Sequence, residues 1–213
     1  MRTLFQRHQR RTGKAALGGI LLLLVSGCIN LGIGGNKDTP AITNFVLDDL
    51  GRPAVSRTPK PLTLVVLDTQ ASAFYDADAL AYSDRRGTRA YYQYAHWTER
   101  PGTRLTDLIT LRLDREPLFT TVVGDTDVRG DWSLETELLE FYHDATQRPG
   151  EVRVELSADV VDLASHTLVG HKLFSVTDAL ATYDAAGAHD SFNRATTRLL
   201  SELTDWLASL SKD

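Results

Sequence analysis

The sequence holds a single cysteine, Cys28, in 213 residues, so no disulfide framework can form within the chain. It has no Gly-x-x-x-x-Gly-Lys phosphate loop, which excludes nucleotide hydrolysis by that route, and no Gly-x-Ser-x-Gly nucleophile elbow. Basic charge is scarce beyond the N-terminus. Of the 23 Lys and Arg, five (Arg2, Arg7, Arg10, Arg11 and Lys14) precede residue 28, which leaves 18 against 28 Asp and Glu, a net charge of −10. So acidic a remainder is a poor match for nucleic acid, whose phosphates require a basic footprint. With 42% apolar and 24% charged residues, the chain still has ample material for a folded core.

Residues 1–27 follow the plan of a secretory signal. A basic segment ends at Lys14, eleven apolar or small residues run from Ala15 to Val25, and Ser26 and Gly27 lead into Cys28. A spanning helix needs roughly 20 residues, so the run fits a cleavable leader better than a permanent anchor. Arg10-Arg11 hints at a twin-arginine signal, but Thr12-Gly13-Lys14 lacks the apolar residues that should follow. Val25-Ser26-Gly27-Cys28 resembles the bacterial lipobox: small residues admit the peptidase, and the thiol takes a diacylglycerol. Cleavage is expected between Gly27 and Cys28, with Cys28 becoming an N-palmitoyl, S-diacylglycerol cysteine. At about 0.8 kcal/mol per buried methylene, two or three chains anchor stably. Ile29, rather than Asp, follows the cysteine, which favours the outer membrane, facing the periplasm, over the inner.

Residues 28–41 are rich in Gly and polar side chains and read as a flexible tether. A single domain, 42–213, is expected after it. Short strands are predicted at 42–47 and 62–67, a hairpin at 79–82 and 89–94 around the turn 83–88, and a helix at 104–116, capped by Thr103 and stopped by Pro117. A strand at 119–123 follows. Alternation at 132–143, 151–162 and 169–176 predicts an antiparallel meander. A final helix of roughly 20 residues is predicted, capped by Asp190 or Ser191, with Phe192, Ala195, Leu199, Leu203, Trp206 and Leu210 on one stripe. The expected class is α+β, in two layers: a mixed, mostly antiparallel sheet with helices packed on one face.

No catalytic constellation stands out. His166 and His171 lie across a turn, with no cysteine or close histidine to complete a zinc site. Asp125, Asp127 and Asp131 lack the glycine and terminal glutamate of a calcium loop. No cofactor is expected beyond the lipid on Cys28, and no metal. The densest aromatic stretch, Tyr91 to Trp97, has two readings. Tyr92, Tyr94 and Trp97 form a surface for a partner or lipid headgroup, or they pack as core aromatics under the first helix. Alternation, sending Tyr92 and Tyr94 to one side and Tyr91 to the other, favours the second.

Tyr82, then Tyr91-Tyr92-Gln93-Tyr94-Ala95-His96-Trp97-Thr98-Glu99-Arg100-Pro101, then a helix, then Leu118-Phe119-x-x-Val122, resembles the ABC-type transport auxiliary lipoproteins. The two long alternating strands, Phe174 on a third strand and the closing Trp206 helix match in order. The chain departs from that pattern at Ala71-Ser-Ala-Phe-Tyr-Asp76, where a proline-containing loop is usual. The resemblance implies a non-enzymatic subunit of an ABC/MCE-type (Pqi-type) envelope transport system for phospholipid or another apolar solute. The MCE-domain protein, the ABC permease and the ATPase would be its partners, with the bilayer held through the acyl anchor and a homo-oligomeric ring of copies as a further expectation. Anchor and fold fit equally a stand-alone structural or assembly lipoprotein of the outer membrane; a surface hydrolase is a weaker third reading.

Overall fold

The computed structural model describes residues 41–51, 58–124 and 129–211. In chain order the elements are β1 (Thr43–Phe45), β2 (Lys60–Val66), β3 (Gln70–Ala71), β4 (Ala79–Ser83), β5 (Ala90–Trp97), α1 (Pro101–Arg115), β6 (Phe119–Gly124), β7 (Trp132–Asp144), β8 (Glu151–Asp162), β9 (Thr167–Ala179) and α2 (Ala185–Ser209). The class is α+β, as expected: nine strands form one mixed sheet and two helices cover it. The leader, Cys28 and the tether up to residue 40 lie outside the described residues, as do Asp125 and Asp127.

The expected meander is the spine. β7 pairs with β8 from Trp132↔Asp162 to Asp144↔Glu151, and β8 pairs with β9 from Glu151↔Ala179 to Asp162↔Thr167. The strict alternation of β8 buries Val152, Val154, Leu156, Ala158 and Val160 on one face. The other edge of β7 is filled by pieces from the first half of the chain, all parallel to it. β2 pairs at Leu64↔Trp132, β3 at Gln70↔Glu137 and β4 at Tyr82↔His143. β6 then extends β2, β5 extends β4, and β1 runs parallel to β5.

Both helices differ at their N-termini from the expected bounds. α1 begins at Pro101, not Arg104, and no side chain caps it. Proline suits that place because its fixed φ is already helical and its missing N–H would have no partner there. Glu116 ends the helix with its N–H on the Arg112 carbonyl, ahead of Pro117. α2 begins at Ala185, capped by Asp184, whose carboxylate accepts the Gly187 N–H at 2.7 Å. Asp190 and Ser191 lie inside the helix, and Ser191 donates instead to the Ala179 carbonyl. Gly187 permits this start: a Cβ there would stand 2.3 Å from the Thr182 carbonyl oxygen.

The core lies between sheet and helices. Phe192, Ala195, Leu199 and Leu203 of α2 are fully buried, and Phe192 stacks on Phe141 at 4.3 Å between ring centroids. Each such Leu or Phe contributes about 1.5–3 kcal/mol by leaving water. One buried charge cluster, Arg112 with Asp49 and Glu116, lies beside this core. Arg112 of α1 donates through Nε to Asp49 at 2.8 Å, through Nη2 to the same carboxylate, and through Nη1 to Ser201 of α2 at 3.3 Å and to Glu116 at 3.4 Å. Burial raises the Asp49 pKa, but its bonds from Arg112 and from the Gly51 N–H outweigh that and hold the carboxyl below its usual range.

Candidate partner surface

β5 brings the aromatic cluster to the sheet, and its backbone decides which rings face out. A step of two positions along β4, from Ala79 to Ala81, matches a step of five along β5, from His96 back to Tyr91. The bulge breaks simple alternation. Tyr91 and Tyr94 are thereby both exposed, at 39% and 38%. The surface reading of Tyr92, Tyr94 and Trp97 is corrected at two of the three, in the direction of the core reading that alternation favours. Trp97 is 2% exposed, packed on Phe141 and Phe192 at 5.7 and 5.4 Å, so it offers nothing to a partner. Tyr92 is half-buried: its ring lies against Tyr82 at 5.0 Å and its hydroxyl meets His143 Nδ1 at 2.7 Å. Tyr94 keeps the expected surface position, and it is Tyr91, stacked on Phe74 at 4.4 Å with its hydroxyl donating to the Phe74 carbonyl, that joins it.

His143 closes the inner end of this arrangement. It is fully buried, and Nε2 sits 3.0 Å from the Pro149 carbonyl oxygen. A carbonyl can only accept, so Nε2 carries the proton and Nδ1 accepts the Tyr92 O–H. Burial pushes the His143 pKa below its ordinary value, with the Pro149 bond and the charge of Asp144 opposing. Burial also raises the Tyr92 phenol, helped by Tyr183, Asp184 and Tyr82. Gly150, at φ +88°, lets the β7–β8 turn close on this ring: a Cβ there would stand 2.7 Å from Nε2 and 2.3 Å from the Asp144 carbonyl oxygen.

A second polar group sits on the helix-free side of β7. Arg89 donates through Nε to the Tyr75 hydroxyl at 2.9 Å and through Nη2 to Glu140 at 2.8 Å, and its guanidinium lies 3.5 Å from the Tyr142 ring centroid. The Tyr75 hydroxyl also donates to Glu140, and burial, then that bond, raise its pKa. Beside this group a shallow pocket of about 720 Å³ opens, lined among others by Arg85, Arg86, Arg89, Tyr142, Asp144 and Arg153. Among the described residues, no three or more His, Cys, Asp or Glu are grouped to hold a metal ion. Asp131 accepts the Thr63 N–H at 2.8 Å, and His171 bonds Asp159 at 2.7 Å.

The arginines at this pocket escaped the sequence reading. They come from two hairpins far apart in the chain, so only the pairing of β4 with β7 brings them together. No described helix is long and apolar enough to cross a membrane.

A mixed nine-stranded sheet under two helices defines an α+β domain. The chain belongs to the ABC-type transport auxiliary lipoprotein component family, whose model matches residues 45–205. Among solved structures it is similar to protein XCC0632 from Xanthomonas campestris, with a TM-score of 0.72 and 21% identity over 77% of this chain and 93% of that one. An uncharacterized protein overlays with a TM-score of 0.58 and 10% identity, over 77% and 99%. The PelC dodecamer from Paraburkholderia phytofirmans overlays at 0.43 and 14% identity, over 70% and 91%. At these identities the likeness is one of fold. No curated protein matches the chain at a significant level.

Proposed function

We propose that the chain is a lipid-anchored, non-catalytic auxiliary subunit of an ABC/MCE-type envelope transport system moving phospholipid or another apolar solute. The carrying observation is the family match: it spans nearly the whole described domain and begins 17 residues beyond the lipobox-like Val25-Ser26-Gly27-Cys28. Acylation of Cys28 would hold the domain at a membrane, and Ile29 favours the outer membrane, facing the periplasm. A supporting role fits the domain's own chemistry. His143, Glu140 and Arg112 are each committed to bonds that tie distant parts of the chain together. MCE, permease and ATPase chains would supply the channel and the energy. The outer edge of β9, which pairs with β8 alone, suits contact between copies.

Affinity capture of the acylated protein from membranes tests this. Recovery of MCE, permease or ATPase chains is the expected result. Capture of none of them, with envelope permeability unchanged on deletion, would overturn it in favour of a stand-alone assembly lipoprotein.

A further inference from the structure

The turns of the β4–β5 and β7–β8 hairpins lie side by side. Ala145 N–H donates to the Ser83 carbonyl at 2.8 Å, and Tyr82 stands opposite His143. Together these tips carry Arg85, Arg86, Arg89, Arg148 and Arg153, in a mature chain whose net charge is −10. Arg89, Arg153 and Arg85 pair with Glu140, with Asp144 and Glu151, and with Asp84. Among the described residues, Arg86 and Arg148 pair with no carboxylate, and both are exposed. Arg148 lies 4.4 Å above the ring of Tyr183, itself 40% exposed. Tyr91 sits one residue into β5 from the same tip, and Tyr94 three further on.

The chain's own direction adds a second line. β1 runs parallel to β5, with Thr43 opposite Ala95. Ala41 therefore leads back along β5 toward Ala90 and the arginine-bearing turn. Ala41 is thirteen Cα–Cα steps from Cys28, with twelve residues between. Those steps reach at most about 45 Å.

We propose that this end of the domain, with Arg86 and Arg148 at its tips and Tyr91, Tyr94 and Tyr183 beside them, rests on the anionic surface of the bilayer that holds the chain's anchor. Exposed arginines near an anionic leaflet gain attraction that decays within a Debye length, and tyrosine, apolar in body and polar at its tip, favours the headgroup level. The proposal rests on the acylation of Cys28 put forward above. It goes further by giving the domain an orientation: the arginine tips down, the β8–β9 turn away from the membrane.

The test uses the full acylated chain, in which the sulfur of Cys28 is consumed by its lipid link and an introduced cysteine is the one free thiol. An environment-sensitive dye is placed at Gln147→Cys on the arginine end or Ala164→Cys in the β8–β9 turn, both exposed. The protein is reconstituted in phosphatidylethanolamine vesicles, with or without phosphatidylglycerol and carrying a headgroup quencher. Expected is quenching at position 147 about twofold or more above that at 164, larger with phosphatidylglycerol and reduced by high salt. Arg86→Glu with Arg148→Glu should abolish the difference while the protein still floats with the vesicles. Equal quenching at the two positions in floated protein overturns the orientation and leaves the anchor intact. Protein that does not float overturns the acylation reading and, with it, the orientation. Position 147 shielded only when transport-system subunits are added assigns this end to a protein partner and overturns the proposal.

Discussion

The Tyr92 hydroxyl and His143 Nδ1, 2.7 Å apart, join β5 to β7, two strands that are not neighbours in the sheet. β4 lies between them, and its Tyr82 packs against the Tyr92 ring. The bond therefore spans a strand, and its acceptor is a fully buried imidazole that must stay neutral to accept.

A pH dependence follows. The folded pKa of His143 lies below its ordinary value of 6.5, chiefly through burial. The unfolded chain thus binds the proton more readily. The neutral ring's contribution is complete above about pH 6.5 and falls as pH drops from there through the folded pKa, with a limiting slope of about 1.4 kcal/mol per pH unit for one proton. Denaturant midpoints of the wild type should fall between pH 7.5 and pH 5.5. His143→Gln, less stable at neutral pH, should show a flatter profile; an unchanged slope would remove His143 as the source.

Arg112 and Asp49 predict a different asymmetry. Arg112→Ala takes the cation from two buried carboxylates, Asp49 and Glu116, and should cost about 3–5 kcal/mol by urea unfolding. Replacing all three charges together, as Arg112→Met with Asp49→Leu and Glu116→Gln, should recover much of that. A triple replacement as damaging as the single one would show that the loss comes from packing.

The start of α2 can be tested by two substitutions. Asp184→Ala removes the bond to the Gly187 N–H and should cost about 1 kcal/mol. Gly187→Ala should cost more, because its Cβ would meet the Thr182 backbone rather than open space. Thermal unfolding ranks the two.

Cys28→Ser should leave the protein unacylated and release it from the membrane fraction while the domain still folds. Intact mass and a far-ultraviolet spectrum check both halves; a serine variant that still carried acyl chains would refute it.

Legibility in the sequence tracked the range of the interaction. The β8 alternation and the Phe192, Ala195, Leu199 and Leu203 stripe are local periodicities, and both appear where the pattern puts them. Trp206 and Leu210, at the end of the stripe, are only half-buried. The first turn of α2 was hidden because Ala185, Ala186, Gly187 and Ala188 carry no apolar period and Gly187 resembles a break. The core reading of the β5 aromatics holds for Trp97 and in part for Tyr92, whereas Tyr94, which alternation sets beside Tyr92, is exposed because a bulge resets which side chains face out, and no periodicity announces it. The parallel pairings along β7 join residues some 60 to 70 positions apart, beyond any local signal.

Those pairings carry a consequence for how the chain folds. The three-stranded meander and α2 are built from neighbouring segments closed by short turns, whereas β2, β3 and β4 reach β7 only by closing long loops, which is entropically slow. The C-terminal half should therefore acquire protected amides first, and the N-terminal half should zip onto its exposed edge afterward. Pulse-labelled hydrogen exchange during refolding should find protection in β8 before β2; the reverse order would contradict this. A chain emerging N-terminus first would then hold its earlier half unpaired until the last strands arrive.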